Sequence, residues 1–364
     1  MSMSHSDPAP RGLRLELALS AGLPLPDTGT IAVFHPRAGE ILTPLPHDRV
    51  AIITPHAPDY AAFSAQGYGC HRAAETRFAA ALICLPRGRA EARDLIATAC
   101  AATDGPVIVD GQKTDGADAM LRELRGRVTL SEAIAKGHGK IAWFEAPDDA
   151  FDDWRAEPGE CHDAEGRAYR TLPGLFSADG IDPASALLAQ AIPAGLKGVA
   201  ADFGAGWGYL SAQLLTRAPG LAAVHLIEAD ARALDCARLN VTDPRAHFHW
   251  ADATAPLPRL ALPRLALDVV IMNPPFHAGR AARPQLGADF IRAAAAMLKP
   301  SGQLWLVANR HLPYETTLAA MFRKHTELPG APGFKLFHAE APQKTTAAPS
   351  GKRPRANHRS GRRA

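Results

Sequence analysis

The 364-residue chain reads as an α/β protein made of two tandem units, each a parallel sheet covered by helices. Three observations predict this. From Ile31 onward, short apolar runs alternate with helix-period segments, the pattern of strand, crossover helix and strand. A second series of the same kind begins near Pro183. Between the two, residues 146–168 are polar and turn-rich, with Pro147, Asp148, Asp149, Asp152, Asp153, Pro158 and Gly159, and mark a boundary. The length is sufficient for two domains of ordinary size.

In chain order, residues 1–30 are rich in Pro, Ser and Gly and are expected to be a mobile lead-in. Strands are predicted over 31–34, 50–54, 80–85, 107–110 and 141–144, and helices over 87–100 and 115–124. The first strand runs into His35-Pro36-Arg37-Ala38-Gly39, and the strand at 80–85 into Pro86-Arg87-Gly88-Arg89. Neither turn is built to bring backbone close to a ligand. Arg87, Arg89 and Arg93 fit either contacts to phosphate or ordinary surface arginines.

The second half opens with a helix over 183–192. A buried strand follows, Val199-Ala200-Ala201-Asp202-Phe203, and ends in Gly204-Ala205-Gly206-Trp207-Gly208 before the helix of 211–217. Missing side chains at Gly204, Gly206 and Gly208 allow a ligand to approach the backbone. The spacing G-x-G-x-G, preceded by Asp202, departs from the dinucleotide fingerprint G-x-G-x-x-G. A carboxylate at that mouth repels a pyrophosphate and attracts a cationic ligand. The next strand, 222–227, ends in Glu228-Ala229, where an acid can hold both hydroxyls of a ribose. A third, near 247–250, ends in Asp252-Ala253, where a carboxylate accepts from an adenine amine. An ammonium, a diol and an adenine belong together in S-adenosylmethionine, so three acids at successive strand ends point to that cofactor, although each alone fits a helix cap or a solvated loop.

The strand at 267–272 leads into Asn273-Pro274-Pro275-Phe276. An amine attached to a planar base or a carboxamide is a poor nucleophile, because its lone pair is delocalised. The Asn273 side-chain oxygen and the Pro274 carbonyl are acceptors able to take its two hydrogens and draw the lone pair out of conjugation. Proline stiffens the corner and removes a competing donor. Phe276 offers a face on which a planar target stacks. After this come a helix over 287–298, a turn at 299–302, a strand over 303–308, a helix over 314–322 and a last strand near 334–338.

These residues resemble the class I S-adenosylmethionine-dependent amino-methyltransferases. Three further stretches narrow the resemblance to the bacterial ribosomal RNA guanine-N2 methyltransferases, in particular those of the small subunit. They are Thr171-Leu172-Pro173-Gly174-Leu175-Phe176-Ser177 with Asp179-Gly180, Phe276-His277 with Gly279, and Leu306-Val307-Ala308-Asn309 with Leu312-Pro313-Tyr314. The match in detail covers about residues 169–314. It implies two tandem Rossmann-like methyltransferase domains: a degenerate one over 31–150 and, after a linker at 151–168, a catalytic one over 169–341 with a seven-stranded sheet. It implies binding of S-adenosylmethionine by Phe176, Asp202, Gly204, Ala205, Gly206, Gly208, Glu228, Ala229, Asp252, Ala253 and Asn273. Catalysis is expected at Asn273, Pro274, Pro275 and Phe276. Phe176 fits a cofactor cover and a core residue equally. His277 is read as a packing or substrate contact, since attack by nitrogen needs no prior base. Arg280 and Arg283 follow the corner and could meet phosphate if that loop faces substrate.

Composition agrees with a globular protein, with 47% hydrophobic and 21% charged residues. Cys70, Cys84, Cys100, Cys161 and Cys236 are scattered without a C-x-x-C pair. Neither a disulfide framework nor a metal site is expected, and a reducing cytoplasm fits. No apolar run approaches the length of a membrane span. The net charge of +3 is uneven. Seven cations (Lys344, Lys352, Arg353, Arg355, Arg359, Arg362, Arg363) and no acid follow Glu340, leaving a body with 33 basic and 37 acidic groups, a net −4. The tail, 342–364, is expected to be disordered and either holds RNA electrostatically or solubilises the protein. The partner expected is ribosomal RNA or the small ribosomal subunit. Methylation of large-subunit guanine or of a protein glutamine, and a non-catalytic RNA-binding assembly factor, are the alternatives.

Overall fold

The computed structural model describes residues 9–147, 149–255, 266–275, 277–278, 281–282 and 284–343. Helix α1 (Ala9–Ser20) precedes a sheet built from β1 (Ile31–Phe34), β2 (Val50–Ile53), α2 (Ala57–Ser64), β3 (Gly69–His71), β4 (Ala80–Cys84), α3 (Arg89–Ala101), β5 (Pro106–Gln112), α4 (Ala117–Arg125), β6 (Ile134–Lys136) and β7 (Gly139–Glu145). A hairpin of β8 (Gly159–His162) and β9 (Ala168–Thr171) leads to the second unit. That unit comprises α5 (Pro183–Ala191), β10 (Gly198–Phe203), α6 (Tyr209–Arg217), β11 (Leu221–Glu228), α7 (Ala231–Asn240), β12 (Ala246–Trp250), β13 (Leu267–Met272), the short pair β14 (His277–Ala278) and β15 (Ala281–Ala282), α8 (Pro284–Met297), β16 (Leu298–Asn309), α9 (Glu315–Met321), β17 (Phe322–Leu328) and β18 (Phe334–Pro342).

Both sheets have seven strands and one topology. Their orders are β3-β2-β1-β4-β5-β7-β6 and β12-β11-β10-β13-β16-β18-β17. In each, six strands run in one direction, and the sixth in the order, β7 or β18, lies antiparallel to both of its neighbours. Helices cover both faces, so the central strands are apolar throughout: β1, β2 and β4 are buried at every position. The expected pair of tandem Rossmann-like domains is the fold observed.

Several local expectations are corrected. Residues 9–20 of the supposed mobile lead-in form a helix that packs on the first sheet. Arg11, Arg14, Leu15 and Ala18 recur at helical spacing and are all buried. Two arginines in an inward stripe look polar in sequence, which hides the amphipathic period. Their charges are met by Asp110 at the end of β5, where Arg14 donates to both carboxylate oxygens (2.6 and 2.8 Å) and Arg11 approaches at 3.1 Å. The linker is also less separate than its composition implies. Phe151 and Trp154 belong to the first core, while Cys161 and Tyr169 belong to the second. The turn expected at 299–302 lies within the span of β16 as a bulge: Leu298 pairs with Leu267 and Gln303 with Val269, so these four residues stand outside the ladder. Strands β3, β6 and β17 escaped notice because they are short or exposed edges whose polar residues mask any alternation.

The two units meet at the carboxyl ends of their strands. His56 and Asp230 form an antiparallel bridge, with Ala57 N donating to Ala229 O (2.8 Å) and Ala231 N to Pro55 O (2.9 Å). Trp250 Nε1 donates to Pro55 O and Ala229 O at 2.7 and 2.8 Å, and its ring meets Tyr60 edge-on. Arg232 joins Glu91 of α3 at 3.0 Å. Burial, with Arg232 beside it, pushes His35 down to about 3, so this histidine is neutral in the interface.

Removing one partner of a buried ion pair leaves a carboxylate short of compensation, and Asp110 is fully buried. Arg14→Ala is therefore expected to destabilise the protein by roughly 3 kcal/mol or more, read as a lowered urea midpoint; a midpoint equal to wild type would contradict the anchoring role of α1.

Candidate active site

Strand β10 delivers the glycine turn. Gly204, Gly206 and Gly208 have φ of 76°, 55° and 92°, a left-handed region costly to residues with a Cβ. Their uses differ. A Cβ on Gly206 would meet nothing within 4 Å, so this backbone faces open space. A Cβ on Gly208 would lie 2.9 Å from Val241 and 3.2 Å from Ala237, so this glycine lets α6 pack on α7. Gly204 N and Ala205 N both donate to Ile227 O, tying the turn to β11.

Glu228, at the end of β11, accepts from Gly206 N through Oε2 (2.8 Å) and from Asp230 N through Oε1 (2.8 Å). Burial raises its carboxyl, and these two bonds oppose the rise. Ala251 N, just past β12, donates to Glu228 O at 3.0 Å. Asp252 follows, its Oδ1 accepting from Thr254 N (2.8 Å) and Thr254 Oγ1 (2.6 Å), and Ala253 is buried behind it. Ala229 contributes its carbonyl to the domain interface.

Asp202 lies beneath the turn instead of at its mouth. It is 0% exposed, its Oδ2 accepts from Ser211 Oγ at 2.7 Å, and its Oδ1 has no hydrogen-bond partner among the described residues. Burial pushes the carboxyl up to about 7; Ser211 opposes the rise and Glu228 adds to it.

Asn273 emerges from β13 next to the start of α5. Its Nδ2 donates to Asp182 Oδ2 and to Ser185 Oγ, both at 2.9 Å. Asp182 caps α5 at the same time, accepting from Ser185 N at 2.8 Å. Pro274 is buried and Pro275 exposed. Phe276, Arg280, Arg283 and the tail from Lys344 lie outside the described residues, as does the side chain of His277.

The glycine turn and the asparagine share one cleft. About 400 Å³ of empty volume, open to solvent, is lined by Phe176, Gly204, Ala205, Gly206, Trp207 and Asn273 among others, with Asp182 and Ser185 on its wall. Phe176 is 62% exposed and stands on the rim, fixed by its own carbonyl accepting from Trp207 Nε1 at 2.9 Å. Glu228 reaches the cleft through Gly206, whereas Asp202, Gly208, Asp252 and Ala253 stand behind or beside it. Asp182, Ser185 and Trp207 went unnoticed as site residues. Asp182-Pro183 is an N-cap followed by proline at N1, and that signal was available in the sequence.

Register relates the two halves residue by residue. Phe34 pairs with Ile53 and Ile83, as Phe203 pairs with Ile227 and Met272. His35, Thr54 and Cys84 therefore stand where the second half has Gly204, Glu228 and Asn273. Arg11 and Glu40 press on buried Cys84, whose thiol is raised by burial. The first half thus has its equivalent crevice filled by α1 and side chains. Of the three arginines considered there, Arg89 and Arg93 are engaged by Glu123, each at 2.7 Å, and Arg87 is exposed.

Residues 167–338 match the family model of the methyltransferase small domain. The match lies in the C-terminal region and takes in all of the second sheet except the end of β18. Curated relatives named ribosomal RNA small subunit methyltransferase C include those of Pectobacterium atrosepticum (31% identical over 241 residues, 64% of this chain and 65% of the relative) and Sodalis glossinidius (34% over 182 residues, half of each). That of Salmonella choleraesuis is 29% identical over 236 residues, 64% of this chain and 66% of the relative. The chain thus spans at most about two thirds of the length of these relatives. Among solved structures, the T. thermophilus 16S rRNA N2 methyltransferase RsmC, in complex with AdoMet and guanosine, covers 93% of both chains with a TM-score of 0.75 at 24% identity. The two-domain fold is common to both.

The site's residues fit S-adenosylmethionine: a glycine turn facing open space, a carboxylate at the next strand end and a buried acid oxygen still lacking a donor. For Asp202 the folded pKa lies above the ordinary 3.8, so the folded state retains a proton that the unfolded chain has released. The stability this contributes is full below about 4 and lost as pH rises toward about 7. Wild-type stability relative to Asp202→Asn is accordingly expected to fall across that window in urea titrations; a constant difference would contradict the raised pKa.

Proposed function

We propose that the protein transfers a methyl group from S-adenosylmethionine to the exocyclic N2 of a guanine in ribosomal RNA, with the 16S RNA of the small subunit as substrate. The observation that carries the reading is that one cleft holds both the glycine turn and the Asn273 amide. The names of the relatives support the substrate class.

In this reading the backbone of Gly204 to Gly206 and the carboxylate of Glu228 bind the cofactor, Asp252 and Ala253 border the adenine, and Phe176 covers it. Asp202 supports the turn from below and offers its unpartnered oxygen to positive charge. When bound, S-adenosylmethionine supplies an electrophilic methyl group: the amine lone pair forms the C–N bond as the C–S bond breaks, and the proton then leaves nitrogen for water. Asn273 Oδ1 and the Pro274 carbonyl accept the two amine hydrogens and localise that lone pair. Pro275 stiffens the corner and Phe276 stacks on the base. The fixed distance between turn and corner holds donor and acceptor in line, which removes much of the entropic barrier.

Asn273→Ala removes one acceptor of the two and leaves the glycine turn intact. It is expected to bind S-adenosylmethionine as wild type does and to lose on the order of 10²-fold or more in turnover. Incorporation of labelled methyl groups into separated ribosomal subunits tests this, and undiminished incorporation would overturn the role given to Asn273.

A further inference from the structure

The Asn273 amide has two faces of opposite character. Turned one way it presents an oxygen to the cleft; turned the other way it presents two N–H donors, which would repel an amine and attract a carbonyl. The chemistry of its neighbours decides between them. Asp182 as a carboxylate only accepts, so the atom 2.9 Å from its Oδ2 must be the amide nitrogen. With the amide reversed, two oxygens would face each other at hydrogen-bond distance without a proton between them. Ser185 Oγ takes the second hydrogen at 2.9 Å. Both Nδ2 hydrogens are thereby consumed, and Oδ1 is left as the group with acceptor capacity to spare.

We infer that Asp182, assisted by Ser185, is a positioning residue that sets the polarity of Asn273 and so makes the site select a target that donates hydrogens, an exocyclic amine, over one that accepts them. The inference rests on the methyltransferase reading given above. Asp182 is itself held firmly. Its Oδ2 also receives Ser185 N as the cap of α5, and the proline that follows it fixes the entry to the helix. The segment leading into it is pinned by Thr171 Oγ1 donating to Ala178 O (2.8 Å) and Ser177 Oγ to Gly180 O (2.7 Å). That same segment carries Phe176 to the rim of the cleft. One stretch of chain therefore links the cofactor side of the cleft to the orientation of the amide that receives the substrate.

Three substitutions separate positioning from structural support. Asp182→Asn retains an oxygen able to accept from both Ser185 N and Asn273 Nδ2. Asp182→Ala removes that acceptor and the cap together. Ser185→Ala removes one acceptor of Nδ2 and keeps the cap. Methyl transfer at saturating S-adenosylmethionine and the cofactor's dissociation constant are measured for each, with full-length protein and small ribosomal subunits. Asp182→Ala is expected to slow transfer on the order of 10²-fold, Ser185→Ala by several-fold, and Asp182→Asn by less than about threefold, all with cofactor affinity near wild type. Unchanged cofactor affinity establishes that the slow variants are folded. Transfer at the wild-type rate by Asp182→Ala, or Asp182→Asn as slow as Asp182→Ala, overturns the inference. Wild-type protein that binds the cofactor and methylates no ribosomal RNA would instead remove the reading beneath it, and is seen before any variant is compared.

Discussion

The hydrogen bond from Gly206 N to the Glu228 carboxylate, at 2.8 Å, is the constraint around which the second domain's site is arranged. It joins the turn after β10 to the end of β11, its neighbour in the sheet, and it is possible only because the backbone at Gly206 takes a left-handed conformation. The same carboxylate receives Asp230 N, so the start of α7 is tied in as well. An acid in this place ties the turn to the end of the neighbouring strand. That depends on parallel strands in register, since Phe203 opposite Ile227 brings Gly204 and Glu228 to one level.

From that corner the domain interface acquires its importance. The residues just past Glu228 are also those that bridge to the first half, through His56 and Asp230 and through the two carbonyls that Trp250 reaches. The first half therefore braces the loop that carries Glu228. Its own crevice cannot serve. Where glycine would be needed it has His35, itself at φ 52°, and the position matching Asn273 is a buried cysteine beneath Arg11. A duplicated fold has been retained here with its pocket occupied by side chains, in keeping with the separation of fold from function.

Charge has been handled in contrasting ways in the two halves. In the first, Arg11 and Arg14 meet Asp110 and Glu40, so buried charges are compensated within the protein. In the second, Asp202 keeps an oxygen without a donor and a carboxyl raised to about 7. A buried acid oxygen without a donor, under a turn whose backbone faces open space, is the kind of local cost that functional sites carry. Asn273 shows a third arrangement, in which a neutral amide is given a direction by an acceptor placed behind it.

The sequence alone determined the alternation of strands and helices, the glycine turn, the acids at strand ends and the Asn-Pro-Pro corner, because periodicity, left-handed backbone and stiff turns depend on residues adjacent in the chain. It also carried the resemblance that narrowed the substrate class, after the acids had pointed to the cofactor. Only the tertiary structure decided that Asp202 lies beneath the turn, that Asn273 is held by Asp182 across 91 residues, and that α1 is an anchored helix with a buried arginine. Each of these turns on which side chains meet across elements far apart in sequence, and a buried charge reads as an exposed one until its partner is in place.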